Sequence, residues 1–298
     1  MLTETTYDRV LDRLSELRGP NGIWASTCIV LEHDPDQVSA LAGVALAEFA
    51  LSELGTQQQR DRAAELAHET ALKLCVRQAM AGNPTGPLGD EPHLMVTFLV
   101  ARLVDMLERL PSVSAVPADT VDGLGKAVVR HPGLKNFLNL QLNRELLGQP
   151  TEMDAIRVLS LYHIGKLSKE ALGAIWRERF VAEQSWDGTW DSSIGQDYGL
   201  ATSIVLEVWE TAGRPAPAPR PVRVSTEATL YQHLNIAMAR LRIEGEAAKP
   251  AAEEVLRSMA ADAQRGRVGP LTCAAALKLG VVLSDRGQLG EPHLRLVG

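Results

Sequence analysis

The densest set of groups able to move a proton is Asp90-Glu91-Pro92-His93, at the entrance to a long apolar run. A carboxylate and an imidazole side by side can divide general acid and general base work between them near neutral pH. Asp36 stands with His33 and Asp34 at the head of another apolar segment, and Asp197 with Tyr198 opens a third. Asp154 and Glu227 hold comparable places. All of these acids fall at the start of an expected helix. There a carboxylate also caps free N–H groups and meets the positive end of the helix dipole. Capping is the plainer role for each. The candidate catalytic residues are Asp90, His93 and Asp197, with Asp36 next.

Other chemistries find little support. His93 and Asp90 supply too few ligands for a metal, and no H-x-x-x-H pair exists. The nucleophile elbow, the phosphate-binding loop and the dinucleotide fingerprint are all missing. Cys28, Cys75 and Cys273 are scattered, without a C-x-x-C pair or a base partner. No cofactor and no metal are therefore expected. His163, on an apolar helix face, reads as a core histidine, and His233 is ambiguous. The chain carries 37 acidic and 30 basic residues, a net charge of -7, with no basic stripe, so nucleic acid is not an expected partner. No segment approaches the roughly 18 apolar residues of a membrane span, and the opening MLTETTYDRVLDRL is too polar for a secretory leader. Free thiols and these absences make a cytoplasmic protein the expectation.

Helical periodicity positions these residues, and strand alternation is nearly absent. Thr5 to Arg18 puts Val10, Leu11, Leu14 and Leu17 on one face and stops at Gly19-Pro20. Asp34-Pro35-Asp36 introduces a helix reaching Gly55, and another runs from about Gln58 to Met80. An apolar helix starts at Glu91 or His93 and reaches Leu110, and further helices are expected near 118–130, 134–147 and 152–165. Ser168 is the expected N-cap of a helix ending at Glu183, without an acid three residues on. Tyr198 to Ala212 forms another, and three more fall near 225–243, 248–264 and 270–284. The proline-rich stretch at 214–221 reads as a surface loop inside one domain covering 1–298, because three helices beyond it are a weak independent core. Helices joined by short Gly/Pro loops point to hairpins stacked in a ring or an arc.

Two loop-plus-helix units echo one another: Gly22-Ile23-Trp24 and Gly188-Thr189-Trp190, each followed by a helix rich in Leu and Ala. The second lies in Gln184-Ser185-Trp186-Asp187-Gly188-Thr189-Trp190, of the form Q-x3-G-x-W. This resembles the repeat of the terpenoid cyclases and protein prenyltransferases. The resemblance implies an all-α fold, a single α/α toroid with helical hairpins around a central cavity. Taken on its own chemistry, the Gln amide can satisfy N–H groups at the next helix start under an indole lid, and the glycine permits the turn.

The chain departs from that family's chemical motifs. It has no Asp-x-Asp-Asp, the nearest being Asp34-Pro35-Asp36-Gln37, and no Asp-rich Mg²⁺ site. Cys273 has no nearby acid or histidine to complete a zinc set. Phe, Trp and Tyr make up only 4% of the residues, few for holding a carbocation against π-faces. The function implied is a cyclisation or isomerisation of an apolar isoprenoid or polyene-like small molecule, by shape and by acid/base groups at the cavity mouth. The alternative is a non-catalytic helical-repeat protein that binds a peptide or protein partner.

Overall fold

The computed structural model describes residues 4–25, 35–80, 91–107, 109–110, 151–163, 165–191, 198–223 and 228–288. Helix α1 spans Glu4–Leu17, α2 Pro35–Leu51, α3 Gln57–Met80, α4 Glu91–Leu107 and α5 Thr151–His163. Helix α6 begins as Lys169–Ile175, passes through a π-helical turn at Trp176–Phe180 and ends in Val181–Glu183. Then come α7 at Tyr198–Thr211, α8 at Leu230–Glu244, a 3-10 turn at Gly245–Ala248, α9 at Lys249–Gln264 and α10 at Pro270–Gln288. Among the described residues there is no strand, only an isolated antiparallel bridge between Arg18 and Trp24. The helices expected at 118–130 and 134–147 lie outside the described residues.

Local chemistry sets the helix starts. Thr56 and Gln59 form a reciprocal cap on α3: Gln59 N donates to Thr56 Oγ1 at 3.2 Å, and Thr56 N donates to Gln59 Oε1 at 2.9 Å. Thr229 and Gln232 repeat it on α8, which is why that helix begins at Leu230 rather than near 225. Ser168 caps α6 by accepting from Ala171 N, as its position suggests.

Packing sorts the helices into two layers. Helix α2 buries residues around almost its whole circumference, from Gln37 and Val38 through Ala47 and Phe49. Helix α1 buries one stripe, Tyr7, Val10, Leu11 and Leu14. The inner helices touch in the order α2, α4, α5, α7, α8, α10, and α10 returns to α2, so the ring is closed. Outside it, α3 lies on α2 and α4, α6 on α5 and α7, α9 on α8 and α10, and α1 against α3, α9 and α10. The α2–α4 approach depends on Gly43, where a Cβ would come within 2.8 Å of Leu103.

The two tryptophan loops are one structure built twice. Each indole is fully buried and donates to the carbonyl ten residues back: Trp24 Nε1 to Leu14 O and Trp190 Nε1 to Phe180 O, both at 2.7 Å. Each tryptophan backbone N–H donates to a hydroxyl on the following inner helix, Ser39 at 3.0 Å and Thr202 at 3.2 Å. The turns match as well: Gly22 (φ 80°) and Gly188 (φ 84°) take left-handed backbone that a side chain would strain. Arg18 stands where Gln184 does, and both donate to the glycine carbonyl at 2.9 Å.

The two loops differ in what covers them. Arg18 also pairs with Glu69 on outer helix α3. Gln184 instead bonds the backbone of Arg220, through both its amide nitrogen and its oxygen. The proline-rich segment thus runs where an outer helix would lie between α7 and α8. It is fastened by Trp209 Nε1 donating to Pro215 O and Trp176 Nε1 donating to Pro217 O. Gln184 therefore holds this strap rather than the start of the next helix. Trp186 is no lid either, being 77% exposed with the Arg223 guanidinium over its ring.

Candidate functional site

Asp36 sits in the first turn of α2, half-buried, and His93 lies in the first turn of α4. Those two inner helices pack on one another, so both residues belong to the same stretch of the ring. Asp90 and Asp197 lie outside the described residues, as do His33, Asp34 and Glu227. Asp154 is described, and it is committed elsewhere. Its carboxylate meets Arg157 at 3.1 Å and, across to outer helix α6, Arg179 at 2.5 Å. It fastens α5 to the outer layer.

The other end of the inner ring holds a cluster of charges. Glu48 lies near the end of α2, Arg102 in the second half of α4, Glu207 and Glu210 late in α7, Arg242 late in α8 and Lys278 midway along α10. Arg102 Nη2 reaches Glu48 and Glu207, each at 2.5 Å. Lys278 Nζ reaches Glu207 at 3.0 Å and Glu48 at 3.6 Å, while Arg242 spans Glu207 and Glu210 at 3.6 and 3.1 Å. Residues late in neighbouring helices can meet this way when the helices run in the same direction. Among these groups the carboxylates of Glu48, Glu207 and Glu210 balance the cations of Arg102, Arg242 and Lys278.

Burial works against the Glu207 charge, yet Arg102, Lys278 and Arg242 together hold its carboxyl well below the ordinary range. Burial likewise opposes the Arg102 charge, and Glu207 and Glu48 outweigh it, raising that guanidinium above its usual value. A carboxylate pinned in its ionised form has no proton to give, so Glu207 is not a general acid. His163, at the end of α5, completes the circle: burial, then the charge of Arg102, push its imidazole down to about 4.

That shift fixes a pH dependence. The unfolded chain protonates His163 from its ordinary 6.5 downward, whereas the folded protein resists until about 4. Stability is therefore lost progressively as pH falls from about 6.5 to about 4. Glu207 adds its own loss only as pH drops below its unfolded value of 4.5. In urea titrations at stepped pH, His163→Gln is expected to flatten the upper interval and leave the lower one; an unchanged upper slope would show the imidazole plays no part.

Sequence reasoning missed this cluster, although a signal was present. Glu48, Arg102, Glu207 and Lys278 each interrupt an otherwise apolar stretch, as in AGVALAEFAL, FLVARLVDML, SIVLEVWE and AAALKLGVVL. An ionisable group on a helix apolar all round must find an opposite charge from a neighbour.

The remaining groups are chemically quiet. Cys273 is buried, and burial pushes its thiol up to about 12, which leaves no thiolate for attack. No group of three or more metal-ligating side chains occurs among the described residues. Nor is any described helix long and apolar enough to cross a membrane. An apolar crevice of about 70 Å³ lies between α8 and α9, lined by His233, Ile236, Ala237, Ala248, Ala252 and Val255. Ligand pockets usually span roughly 300–1,000 Å³, so this one is too small for a polyene.

The fold resembles that of a variant of the type II terpene cyclase MstE from Scytonema, solved in its apo form. The match covers 95% of this chain and 96% of that chain, with a TM-score of 0.54 and 12% sequence identity. At that identity the likeness establishes the all-α toroid fold and nothing finer. No protein-family model matches the sequence, and no curated protein matches it.

Proposed function

We propose that the protein is a terpenoid-cyclase-like enzyme that folds an apolar isoprenoid or polyene-like small molecule inside its ring and cyclises or isomerises it. The observation that carries this reading is the closed circuit of apolar inner helices, with acids and a histidine at the start of several of them. In this scheme the charge cluster closes one end of the ring, and substrate enters from the end where Asp36 and His93 begin α2 and α4. Asp90, His93, Asp197 and Asp36 supply proton transfer, with no metal and no cofactor. Shape does the larger share, since a confined polyene is held near its reactive conformation.

The test is product analysis after incubating the purified chain with polyprenols, prenyl diphosphates and linear polyenes. Asp36→Asn and His93→Ala are each expected to lower turnover by about a hundredfold, the lower end of what a positioned acid or base contributes. If neither replacement, nor the same changes at Asp90 and Asp197, slows a measured turnover, the acid/base assignment is wrong.

The charge cluster itself favours a second reading. Ion pairs drawn from several inner helices at one end of the ring rigidify a scaffold as well as they close a pocket. A non-catalytic protein that binds a peptide or protein partner on its outer face would be built the same way. Such a protein converts none of these substrates and is retained by its partner when Asp36 and His93 are replaced together.

A further inference from the structure

Four of the five tryptophans are buried, and Trp186 stands apart, 77% exposed on the loop to which the proline-rich strap is fastened. It is held rather than loose. The Arg223 guanidinium lies 5.6 Å from the centroid of its ring, and Arg223 N donates to Asp187 O at 2.9 Å. The strap is pressed onto the same loop backbone to backbone, since a Cβ at Gly188 would come within 2.2 Å of Pro221 O. Arg220 is fixed there too, its backbone N–H donating to Gln184 Oε1 at 2.9 Å. A large indole left in water forfeits its burial unless another surface covers it.

Cations line the strap and the helix beside it. Residues 213–223 hold three arginines and no acid, in a chain of net charge -7. Lys169, Gly173 and Arg177 recur at four-residue spacing on α6 and face the strap. A Cβ at Gly213 would lie 2.7 Å from Lys169 Cε, and one at Gly173 would lie 3.6 Å from Arg177 Nη1 and 3.9 Å from Pro215 Cβ. Arg214 pairs with Glu210 at 2.9 Å. Among the described residues, Lys169, Arg177, Arg220 and Arg223 have no ion-pair partner. Glu170 and Glu178 stand one residue beyond Lys169 and Arg177 without forming ion pairs with them.

We propose that Trp186 and this cationic strap dock an acidic, extended segment of a partner protein, with an apolar side chain of that segment packed on the open face of the indole. Tryptophan and arginine are the residue types that dominate binding hot spots, and here both are already held in place, which lowers the ordering cost of association. The strap's four prolines have no N–H to offer a β-ladder, so the partner is read through side chains, its carboxylates by guanidinium and ammonium groups. A segment of about ten extended residues reaches at most about 35 Å, enough to follow the strap from Gly213 to Arg223. An anionic membrane fits less well. Apart from Leu51, Trp186 is the only exposed large apolar side chain among the described residues, whereas binding in a membrane interface buries a whole apolar face. A nucleic acid strand would call for several aromatic platforms where there is one. Because the strap lies on the outer wall, the inference stands whether or not the ring is catalytic, and it gives the second reading above a surface and a partner chemistry.

Fluorescence anisotropy of the full chain with a labelled decapeptide of Asp and Glu around one central Phe tests this. At low salt that peptide is expected to bind at least about tenfold more tightly than the same peptide with Lys for each acid, and to weaken about tenfold as salt screens the exposed charges. Trp186→Ala should weaken binding by about tenfold, as truncation of a central aromatic anchor does, and Trp186→Phe should restore most of the loss. Lys169→Gln together with Arg177→Gln should cost about fivefold, the worth of two exposed ion pairs. These exposed replacements should leave the melting temperature within about 2 °C of the parent. Should Trp186→Ala melt earlier, the Lys169 and Arg177 pair decides, and unchanged peptide binding there overturns the proposal. Binding that survives Trp186→Ala, or that does not distinguish the acidic from the basic peptide, overturns it as well. Tighter, Trp186-dependent retention on phosphatidylserine vesicles or on a single-stranded oligonucleotide would replace the protein partner by a membrane or a nucleic acid. Failure of every probe to bind overturns the docking surface and leaves the product analysis untouched.

Discussion

Replacing Arg102 by methionine is expected to destabilise the fold by about 3–5 kcal/mol, the cost typical of removing one partner from a buried ion pair. Methionine approximates the length of the stem, so the loss reports charge more than volume. Without the guanidinium, Glu48 and Glu207 are left near one another in the ring, with Lys278 reaching both and Arg242 reaching only Glu207. Marginal stabilities of roughly 5–15 kcal/mol make such a change a large fraction of the total. Urea unfolding of parent and variant at neutral pH measures it. A second replacement discriminates the cause: adding Glu207→Gln to Arg102→Met should recover part of the loss, because it removes the carboxylate left in excess over Lys278 and Arg242. A double variant as unstable as the sum of the singles would point to lost packing and against the electrostatic explanation.

Trp190→Ala is expected to cost about 3–5 kcal/mol, in the range found when large buried aromatics are truncated. The indole is fully buried and lies 6.0 Å, centroid to centroid, from Trp176, which in turn lies 6.1 Å from Trp209. Truncation opens a cavity beneath the proline-rich strap and orphans the Phe180 carbonyl. Trp24→Ala should cost a similar amount, since the same bond is made to Leu14 O. Trp186→Ala should change stability by less than about 0.5 kcal/mol, as usual for exposed positions. Thermal and urea unfolding of the three variants provide the comparison. If Trp186 proved as costly as Trp190, the loop would be held from its outer surface and not from its buried indole.

These tryptophans show how far local pattern reaches. Gly-x-Trp followed by a Leu/Ala-rich helix was readable twice in the chain, and both copies fold into the same hydrogen-bonded turn. The pattern could not show that Arg18 substitutes for Gln184, because an amide and a guanidinium share only the ability to donate to the glycine carbonyl. Nor could it assign Gln184 to the strap, since Arg220 lies far along the chain and meets it only through the packing of α6 and α7. The candidate acids are a similar case. Asp36 and Asp154 look alike at the start of apolar helices, yet Asp154 is spent on Arg157 and Arg179.

The sequence by itself determined the all-α class, most of the described helices and the Ser168 cap, because hydrophobic periodicity and turn chemistry act over a few neighbouring residues; the ring was only what the family resemblance implied. Tertiary structure alone decided that the ring closes from α10 back to α2, and that Glu48, Arg102, Glu207, Arg242 and Lys278 meet toward one end of it. Those charges come from separate helices, and a charge inside an apolar helix announces that it needs a partner without saying which one. Only the packing that excludes water selects the partner.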